Sequence, residues 1–376
     1  MGSGPSRGPD HRFGEGDPFS VGLEEELLLV DADGHRLAHV ADKVLPRIDL
    51  GEGRADHEAF LAEIELRSSP CTSAGEAAAE LSENRAVARS AGATLMAAGL
   101  HPDARLGDVR IVDADRYLKV EREMRGLIRR TPECALHVHV GMPDPEAAVA
   151  ALTGLREALP LLQGLAANSP FWYGVDSGMA SARSAAVRAY PGRGVPPPLG
   201  SWEEYLDQLD AIAAGGGPKD HTMVWWDIRL QPRFGTVEMR ELDVQAGLEE
   251  AAGIGALVQA LARRAAELPI ERPASAQALA WSWFRASRDG LDGKILHSGR
   301  LTPLREATRE TLDALGSTDP ALDGVERILR EGNGADRQRE AHARGGMPEL
   351  QRFLVDETAR SYDGPLSPTS HRGGPS

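Results

Sequence analysis

Three consecutive glutamates stand inside an apolar stretch near the start of the chain, FSVGLEEELLLV at residues 19–30. A carboxylate buried without a partner is costly, so it becomes neutral, forms an ion pair or binds a cation. Successive side chains of a β-strand point to opposite faces. The stretch therefore predicts a strand in which Glu24 and Glu26 share one face and Glu25 lies on the other.

Other strand candidates carry ionisable pairs at the same spacing of two residues. These pairs are Glu63 and Glu65, His137 and His139, Asp227 and Arg229, and Glu238 and Arg240. A sheet with one solvated face is the alternative interpretation, and it is favoured for any single strand. For the two histidines alone, structural histidines with satisfied hydrogen bonds are favoured. Solvated faces usually also carry Thr, Ser and Lys, whereas these faces carry groups that bind cations or anions. Together the strands predict one polar site.

The residue types in this site indicate which ions it would hold. Oxygen ligands with an occasional imidazole suit Mg²⁺ or Mn²⁺ better than zinc, which prefers His and Cys. Several carboxylates around a sheet would hold two or three such ions and, through them, the phosphates of a nucleotide. Arginines on the same faces would meet the terminal phosphate or a substrate carboxylate. We therefore predict that Glu24 and Glu26 are magnesium ligands in a polar bowl.

The composition limits the classes of protein to which the chain can belong. With 376 residues, 41% of them hydrophobic, and a formal charge of −15, it is typical of globular proteins. The negative charge argues against binding to nucleic acids or anionic membranes, and no apolar run approaches the ~20 residues of a membrane span. Cys71 and Cys134 form neither a C-x-x-C motif nor a zinc spacing, which favours free thiols in a reducing cytoplasm. The sequence contains no P-loop and no dinucleotide-binding glycine motif.

The elements that would position the site follow no regular strand–helix–strand order, which indicates an α+β fold with a largely antiparallel sheet. The glycine- and proline-rich tails, residues 1–17 and 361–376, are expected to be disordered, which leaves a single domain at 18–360. Within it the patterns predict a hairpin at 21–38 that turns at Asp33–Gly34, strands at 62–70 and 134–143, and two strands within 223–244. They predict helices at 73–99 and 144–168, and a long loop at 171–200. From Leu248 to about 360 they predict helices, interrupted by a loop at 331–348.

The predicted loop at 171–200 is irregular and rich in small and aromatic residues, a composition typical of lids that close over substrates. We predict that Arg183 joins the site only when this loop closes. The alternative interpretation is that Arg183 forms an ion pair with Asp176 at the surface.

Six stretches occur in the order VGLEEELLLVD, EIELRSSP, HVHVGMPDPEAAV, LPLLQGLAANSPFWYGVDSGMASAR, WWDIRLQPRFGTVEMRELDV and GNGADRQR. Together they resemble the carboxylate–amine ligase family related to glutamate–cysteine ligase, over about residues 18–360. The resemblance implies a glutamine-synthetase-like fold, in which a curved, mainly antiparallel sheet forms a bowl-shaped active site with helices packed outside. It also implies ATP- and Mg²⁺- or Mn²⁺-dependent joining of a carboxylate to an amine through an acyl phosphate.

The resemblance also implies roles for individual residues. The implied metal ligands are Glu24, Glu26, Glu65, His137 and Glu238; the implied ATP contacts are Arg229, Arg240 and Asp227; the implied catalytic residues are Arg240 and Arg183; and the implied substrate contacts are Arg183, His139, Trp172, Glu58 and Glu63. The expected partners are a small-molecule carboxylate and an amine, with no nucleic acid and no membrane. A γ-glutamyl product and a homodimer are left open. The alternatives are a phosphotransferase of related fold and a non-catalytic nucleotide-binding homologue.

Overall fold

The computed structural model describes residues 8–365. Its strands are β1 (Val21–Leu29), β2 (Ala55–His57), β3 (Glu63–Arg67), β4 (Leu95–Met96), β5 (Ala135–Gly141), β6 (Phe171–Trp172), β7 (Val175–Asp176), β8 (Ile228–Gln231), β9 (Thr236–Asp243), β10 (Lys294–His297) and β11 (Arg300–Pro303). Its helices are α1 (Ala41–Val44), α2 (Ala74–Ser90), α3 (Asp115–Met124), α4 (Pro145–Ala166), α5 (Ala182–Val187), α6 (Trp202–Ala214), α7 (Leu248–Glu267), α8 (Ala276–Asp289), α9 (Leu304–Leu315), α10 (Asp323–Glu331) and α11 (Gly334–Thr358).

Within the described residues, a main sheet of seven strands has the order β2-β3-β1-β5-β9-β8, and β4 also pairs with β1. Its pairings are antiparallel. Two small hairpins, β6–β7 and β10–β11, lie outside this sheet. The predicted combination of helices with a largely antiparallel sheet is therefore confirmed.

The pairing register brings the ionisable residues of neighbouring strands side by side. The opposed residues are Glu24 with Arg67 and His137, Glu26 with Glu65, His139 with Glu238, and Glu238 with Arg229. Residues directly opposite each other in an antiparallel pair have Cβ atoms about 4.5–5.5 Å apart. The pairs spaced by two residues therefore form one continuous polar face.

The other face of the main sheet is apolar and packs against helices. Leu27, Leu66, Val138 and Met239 alternate with the polar residues and are fully buried, and α2, α4 and α7 contact the strands that carry them. Burying each such side chain contributes roughly 1.5–3 kcal/mol. Because a slip of one residue would move these side chains to the cavity and the carboxylates to the helices, the apolar face fixes the register of the polar one.

Glu25 lies on the apolar side of the sheet, as the strand period predicts, and is fully buried. It accepts hydrogen bonds from Arg85 of α2, from Nε at 2.9 Å and from Nη2 at 2.6 Å. Arg85 also donates to the backbone carbonyls of Gln245, Ala246 and Thr358. This buried ion pair connects β1 with α2 and with segments far away in the chain.

The predicted hairpin at 21–38 does not form as a pair of strands. The chain does turn there, because the Asp31 carboxylate accepts hydrogen bonds from the backbone N–H groups of Gly34 and Arg36. Only an isolated bridge between Val30 and Leu37 continues the pairing beyond the turn. The reason is that β3, β4 and β5 already occupy the edges of β1.

The predicted helix at 73–99 ends at Ser90. Gly92 has a φ of +97°, and the N–H of Ala93 bonds back to the carbonyl of Ala88, which closes the helix. The apolar residues that follow form β4 and pair with β1 instead of extending the helix.

The predicted loop at 331–348 is largely helical. Asn333 is the N-cap of α11, and it forms a capping box in which its side chain accepts from the N–H of Asp336 and the Asp336 side chain accepts from the N–H of Asn333. The helix bends at Gly345 and Gly346, where the backbone angles are not helical. The glycines on which the loop prediction rested therefore mark a bend and not a loop.

The first described residues pack against the end of the sheet. Phe13 is buried, the N–H of Arg12 donates to the carbonyl of Pro232 at 2.9 Å, and the N–H of Gly14 donates to that of Met142 at 3.0 Å. These residues therefore differ from the predicted disordered tail. The rest of that prediction, residues 1–7, and most of the predicted C-terminal tail, residues 366–376, lie outside the described part of the chain.

Both cysteines, Cys71 and Cys134, are buried free thiols, as predicted. Cys134 donates its S–H to Glu63 Oε1 at a distance of 2.8 Å between heavy atoms. Within residues 8–365, no helix combines the length and the apolar character needed to cross a bilayer.

Candidate active site

A cavity of about 2400 Å³ lies over the polar face of the main sheet. Its floor carries alternate side chains of the strands, namely Glu24, Glu26, Glu63, Glu65, Arg67, His137, His139, Arg229, Glu238 and Arg240. Glu58, which follows β2, also lines it. The structure thus brings most of the ionisable residues selected from the sequence into one space, while the ions and substrates they bind stay predictions.

Glu24 lies between two histidines on the floor of the cavity. Its carboxylate oxygens are 3.3 Å from His137 Nδ1 and 3.4 Å from His139 Nε2. Burial raises the pKa of Glu24, but the attraction of His139 and the hydrogen bond with His137 lower it well below its ordinary value. Burial and the nearby Arg240 lower the pKa of His137 to about 4. A neutral His137 ring keeps a nitrogen lone pair that can bind a cation.

Two groups of side chains could each hold a metal ion. In the first, one ligand atom from each of Glu24, Glu65 and His137 lies within 4.8 Å of the others. In the second, the same holds for Glu26, Glu58 and Glu65. Because Glu65 belongs to both groups, two ions bound here would be neighbours, as in sites where two metal ions act on one phosphoryl group.

The carboxylates of the second group resist ionisation without a cation. Burial, with the repulsion of Glu58, raises the pKa of Glu26 to about 8. Burial also raises the pKa of Glu58, and burial with Glu24 raises that of Glu65 well above the ordinary value. Glu63 beside them has a pKa raised by burial and by Glu26, and its Oε2 has no hydrogen-bond partner among the described residues. A divalent cation fits this donor set, because it would stabilise the ionised form of each oxygen ligand.

Glu238 holds two arginines at the cavity. Its Oε2 accepts a hydrogen bond from Arg229 Nε at 2.6 Å, and its Oε1 accepts one from Arg240 Nη1. Burial raises the pKa of Glu238, but Arg229 and Arg240 together lower it far below the ordinary value. Both guanidinium groups line the cavity and place positive charge beside the carboxylate groups. The predicted role of Glu238 as a metal ligand stays a prediction.

Two predicted contacts lie away from the cavity. Asp227 is fully buried, and both of its oxygens accept hydrogen bonds from Arg188 at 2.7 Å. Its carbonyl still accepts from the N–H of Arg240 on β9, but its carboxylate is occupied by Arg188 and does not line the cavity. Trp172 lies on β6 and stacks on Tyr173, with ring centroids 4.9 Å apart. Neither residue lines the cavity, so the ATP contact of Asp227 and the substrate contact of Trp172 stay predictions that the geometry does not support.

Arg183 does not belong to an irregular lid. It lies in α5 with a side chain only 1% exposed, and its Nη1 donates to the carbonyl of Glu241 at 2.9 Å and lies 3.6 Å from the Asp243 carboxylate. Asp176 pairs with Arg339 instead. The predicted irregular structure around Arg183 and its predicted ion pair with Asp176 are therefore wrong, whereas closure of this segment over a substrate stays a prediction. The guanidinium of Arg183 still lines the cavity, where β9 holds it in place.

Other cavity residues were not among those predicted. Arg67 continues the face of Glu65 on β3 and forms an ion pair with it, so the strand period alone could have identified it. Glu133, Tyr190 and Arg193 line the cavity from segments outside the strands and helices. No periodic pattern points to these three residues.

The architecture belongs to a known class of fold. The structure is similar to that of a glutamate–cysteine ligase from Francisella tularensis in complex with AMP, with a TM-score of 0.65 at 14% identity, covering 91% of this chain and 88% of that one. It is also similar to a bifunctional glutathione synthetase from Pasteurella multocida, with a TM-score of 0.66 at 14% identity. That match covers 90% of this chain and 52% of the other, so this chain spans about half of its length. These likenesses show a shared ligase fold and confirm the predicted one.

The sequence identifies the family within this class. The family model for glutamate-cysteine ligase family 2 matches residues 20–357, and the chain belongs to this family. "Putative glutamate--cysteine ligase 2-3" of Rubrobacter xylanophilus is 36% identical over 363 residues, which are 93% of this chain and 99% of that protein. "Putative glutamate--cysteine ligase 2-1" of Frankia alni is 34% identical over 366 residues, 91% of this chain and 95% of that protein. The resemblance seen in the motifs is therefore confirmed, and the relatives' names support a ligase.

Proposed function

We propose that the protein is an ATP- and Mg²⁺-dependent carboxylate–amine ligase that forms an amide bond through an acyl phosphate. Two clusters of side chains that could hold cations lie in one cavity with two arginines bound by Glu238. This observation carries the proposal. Family membership supports it, as does the AMP in the Francisella structure. Mn²⁺ would satisfy the same oxygen ligands.

The residue types suit this reaction because its first step joins two anions. A carboxylate oxygen attacks the terminal phosphorus of ATP, which releases ADP and leaves an acyl phosphate. Divalent cations held by the two clusters of side chains would neutralise negative charge on the phosphates. Arg229 and Arg240, oriented by Glu238, would stabilise the charge that develops on the transferred phosphoryl group.

In the second step the amine nitrogen attacks the acyl carbon, the C–N bond forms and phosphate leaves. Arg240 would also stabilise the oxyanion of this step. Holding the two reactants together can supply up to roughly 7–11 kcal/mol of the barrier, so no covalent bond to the protein is required. The buried thiol of Cys134, whose pKa burial raises well above its ordinary value, is not activated as a nucleophile.

The test is ADP formation by the purified protein with ATP, Mg²⁺ and a panel of carboxylic acids, each with and without a panel of amines. A ligase needs both substrates and yields ADP, phosphate and amide in equal amounts. Hydroxylamine in place of the amine should trap the acyl phosphate as a hydroxamate. Glu26→Gln should slow ADP formation at least about a hundredfold. Glu340→Gln, on the exposed face of α11, is the matched control and should leave it unchanged.

Two outcomes would contradict the proposal. Release of a phosphorylated acid that no amine consumes would show a phosphotransferase. Nucleotide binding without ADP formation from any pair of substrates would show a non-catalytic nucleotide-binding protein.

We also propose a cytoplasmic location and small-molecule substrates. The two free thiols support a reducing compartment. The cavity supports small substrates because its ionisable side chains converge on one floor.

A further inference from the structure

One end of the cavity is apolar. Phe60, Met124 and Ile128 form a small buried cluster separate from the main core, and Tyr190 and Trp225 pack against it. All five line the cavity, and Ala59, which follows Glu58 in the chain, also packs against the cluster. We refer to these five residues as the apolar lobe. An aromatic and aliphatic surface beside a strongly charged floor is suited to an apolar part of a ligand.

A largely buried guanidinium near the apolar lobe has one donor, Arg193 Nη1, without a hydrogen-bond partner among the described residues. Arg193 follows Tyr190 closely, and its backbone N–H bonds to the Tyr190 carbonyl. Its side chain is 11% exposed and lines the cavity, and its Nη1 has no hydrogen-bond partner among the described residues. The nearest carboxylate, that of Glu241, is 3.8 Å away, too far for a hydrogen bond. Leaving a charged donor unsatisfied in this way is costly, and a bound anion would relieve the cost.

Carboxylates face the same end of the cavity. Glu133 lines it and is largely buried, and the positive charges of Arg130, Arg183 and Arg193 all act on it, although burial is the larger effect and raises its pKa. Glu63, within electrostatic reach of Glu133, has the free Oε2 described above. This end of the cavity therefore offers a guanidinium with an unpaired donor, two carboxylates and an apolar wall. A simple carboxylic acid would use only part of this set, whereas a zwitterion with an apolar side chain would use all of it.

We propose that the apolar lobe binds the amine substrate and that this substrate is an α-amino acid with a large apolar side chain. Its carboxylate pairs with Arg193, its amino group faces Glu63 and Glu133, and its side chain contacts Tyr190 and Trp225. This inference rests on the proposed ligase function and names the substrate class of its second step.

The amino group of this substrate loses two protons in the reaction. The nitrogen forms the bond to the acyl carbon, and the bond from that carbon to the phosphate oxygen breaks. One proton leaves with the phosphate as hydrogen phosphate, and the other passes to the carboxylate of Glu133 and then to water. No oxidant or further reactant is needed.

Binding measured by calorimetry without ATP tests the inference independently of turnover. L-Phenylalanine and L-leucine should bind more tightly than glycine, which lacks the side chain. L-Phenylalanine should bind at least about tenfold more tightly than phenethylamine, which lacks the carboxylate, because a hydrogen-bonded ion pair is lost. In Arg193→Gln this preference for the carboxylate should disappear, whereas Arg193→Lys should keep part of it. Trp225→Ala should instead reduce the preference over glycine.

Arg122→Gln is the matched control, because Arg122 is exposed on α3 and lies outside the residues that line the cavity. It should bind each ligand as the unmodified protein does. Thermal unfolding of every variant checks that the fold is kept. If Arg193→Gln does not fold, the affinities of the unmodified protein for L-phenylalanine, glycine and phenethylamine still test the proposed substrate class.

The results separate this inference from the proposed function. Equal binding of L-phenylalanine, glycine and phenethylamine, or an Arg193→Gln protein that still prefers the carboxylate, would overturn the inference. ADP formation with other amines would then leave the ligase function standing. Binding in the expected order with no ADP formation from any substrate pair would support the lobe and contradict the ligase.

Discussion

Adjacent glutamates of β1 are stabilised in different ways. Glu25 pairs with Arg85 inside the protein, where the loss of one partner leaves the other charge buried and unpaired. Glu26 faces the cavity, and its pKa of about 8 means that burial opposes its charge unless a cation is bound. Glu25 therefore contributes to the stability of the fold, whereas Glu26 is proposed to contribute to cation binding.

A substitution at Glu25 should affect the stability of the fold, whereas one at Glu26 should affect the affinity for Mg²⁺. Glu25→Gln should lower the free energy of unfolding by about 3–5 kcal/mol, because it leaves the charge of Arg85 buried and unpaired. Its Mg²⁺ affinity should stay near that of the unmodified protein, because the side chain lies on the other face. Glu26→Gln should change the stability of the cation-free protein little, because its amide oxygen can still accept from the N–H of Ala135. Its Mg²⁺ affinity should fall at least about tenfold.

Urea unfolding without cations and calorimetry with Mg²⁺ measure these two quantities. Equal losses of Mg²⁺ affinity in Glu25→Gln and Glu26→Gln would contradict the register of β1. Unchanged Mg²⁺ affinity in Glu26→Gln would contradict the second candidate metal group.

At the scale of the elements, the period of two identified the polar face because the direction of a side chain in a strand is set locally. It did not show that Arg188 pairs with Asp227, whose side chain therefore does not line the cavity. It offered nothing for Arg183, whose burial depends on the carbonyl of Glu241, 58 residues away in the sequence. Arg193 stands in an irregular segment, where no pattern relates sequence to direction. These placements depend on tertiary contacts.

Helix boundaries were predictable where a capping side chain stood in an ordinary context. Ser73 and Asp144 cap α2 and α4 as their positions indicate. Asn333 was not recognised as a cap because the glycines around it also favour a loop. The capping box and burial against α4 decide the structure there.

The cap of α11 should be worth more than an exposed cap. Asn333→Ala removes the capping bonds and also the bond from Nδ2 to the buried carbonyl of Gly164, so we expect it to lower the free energy of unfolding by about 2–3 kcal/mol. Asp144→Ala removes the exposed N-cap of α4 and should cost about 1 kcal/mol. Urea unfolding of the two variants measures the difference. Equal costs would show that the buried bond to Gly164 adds nothing to the cap.

At the scale of the whole molecule, the cavity floor makes stability depend on both pH and cations. In the cation-free protein, the pKa values of Glu26, Glu58, Glu63 and Glu65 are raised, chiefly by burial. The folded protein then binds more protons than the unfolded chain between the ordinary and the raised pKa, so its stability falls as the pH rises through this range. Glu24, whose pKa is lowered, stays ionised there and adds no slope.

The melting temperature of the cation-free protein should therefore fall between about pH 7 and about pH 9, a range above the ordinary pKa of histidine. Saturating Mg²⁺ should raise the melting temperature and reduce this fall, because bound cations stabilise the ionised carboxylates. Scanning fluorimetry with Mg²⁺ or with a chelator checks both effects. The same pH slope under the two conditions would contradict cation binding by these carboxylates.

The order of the strands also bears on how the chain folds during its synthesis. β1 leaves the ribosome first among the described strands, yet Glu24 meets His137 across a separation of 113 residues. Contacts at such separation form late, because a long loop must close before they are gained. Until then the apolar residues of β1 are open to pairing with other chains, and charged residues within such a stretch oppose that pairing. The glutamates proposed to hold cations in the finished site are therefore expected to protect the nascent chain from aggregation.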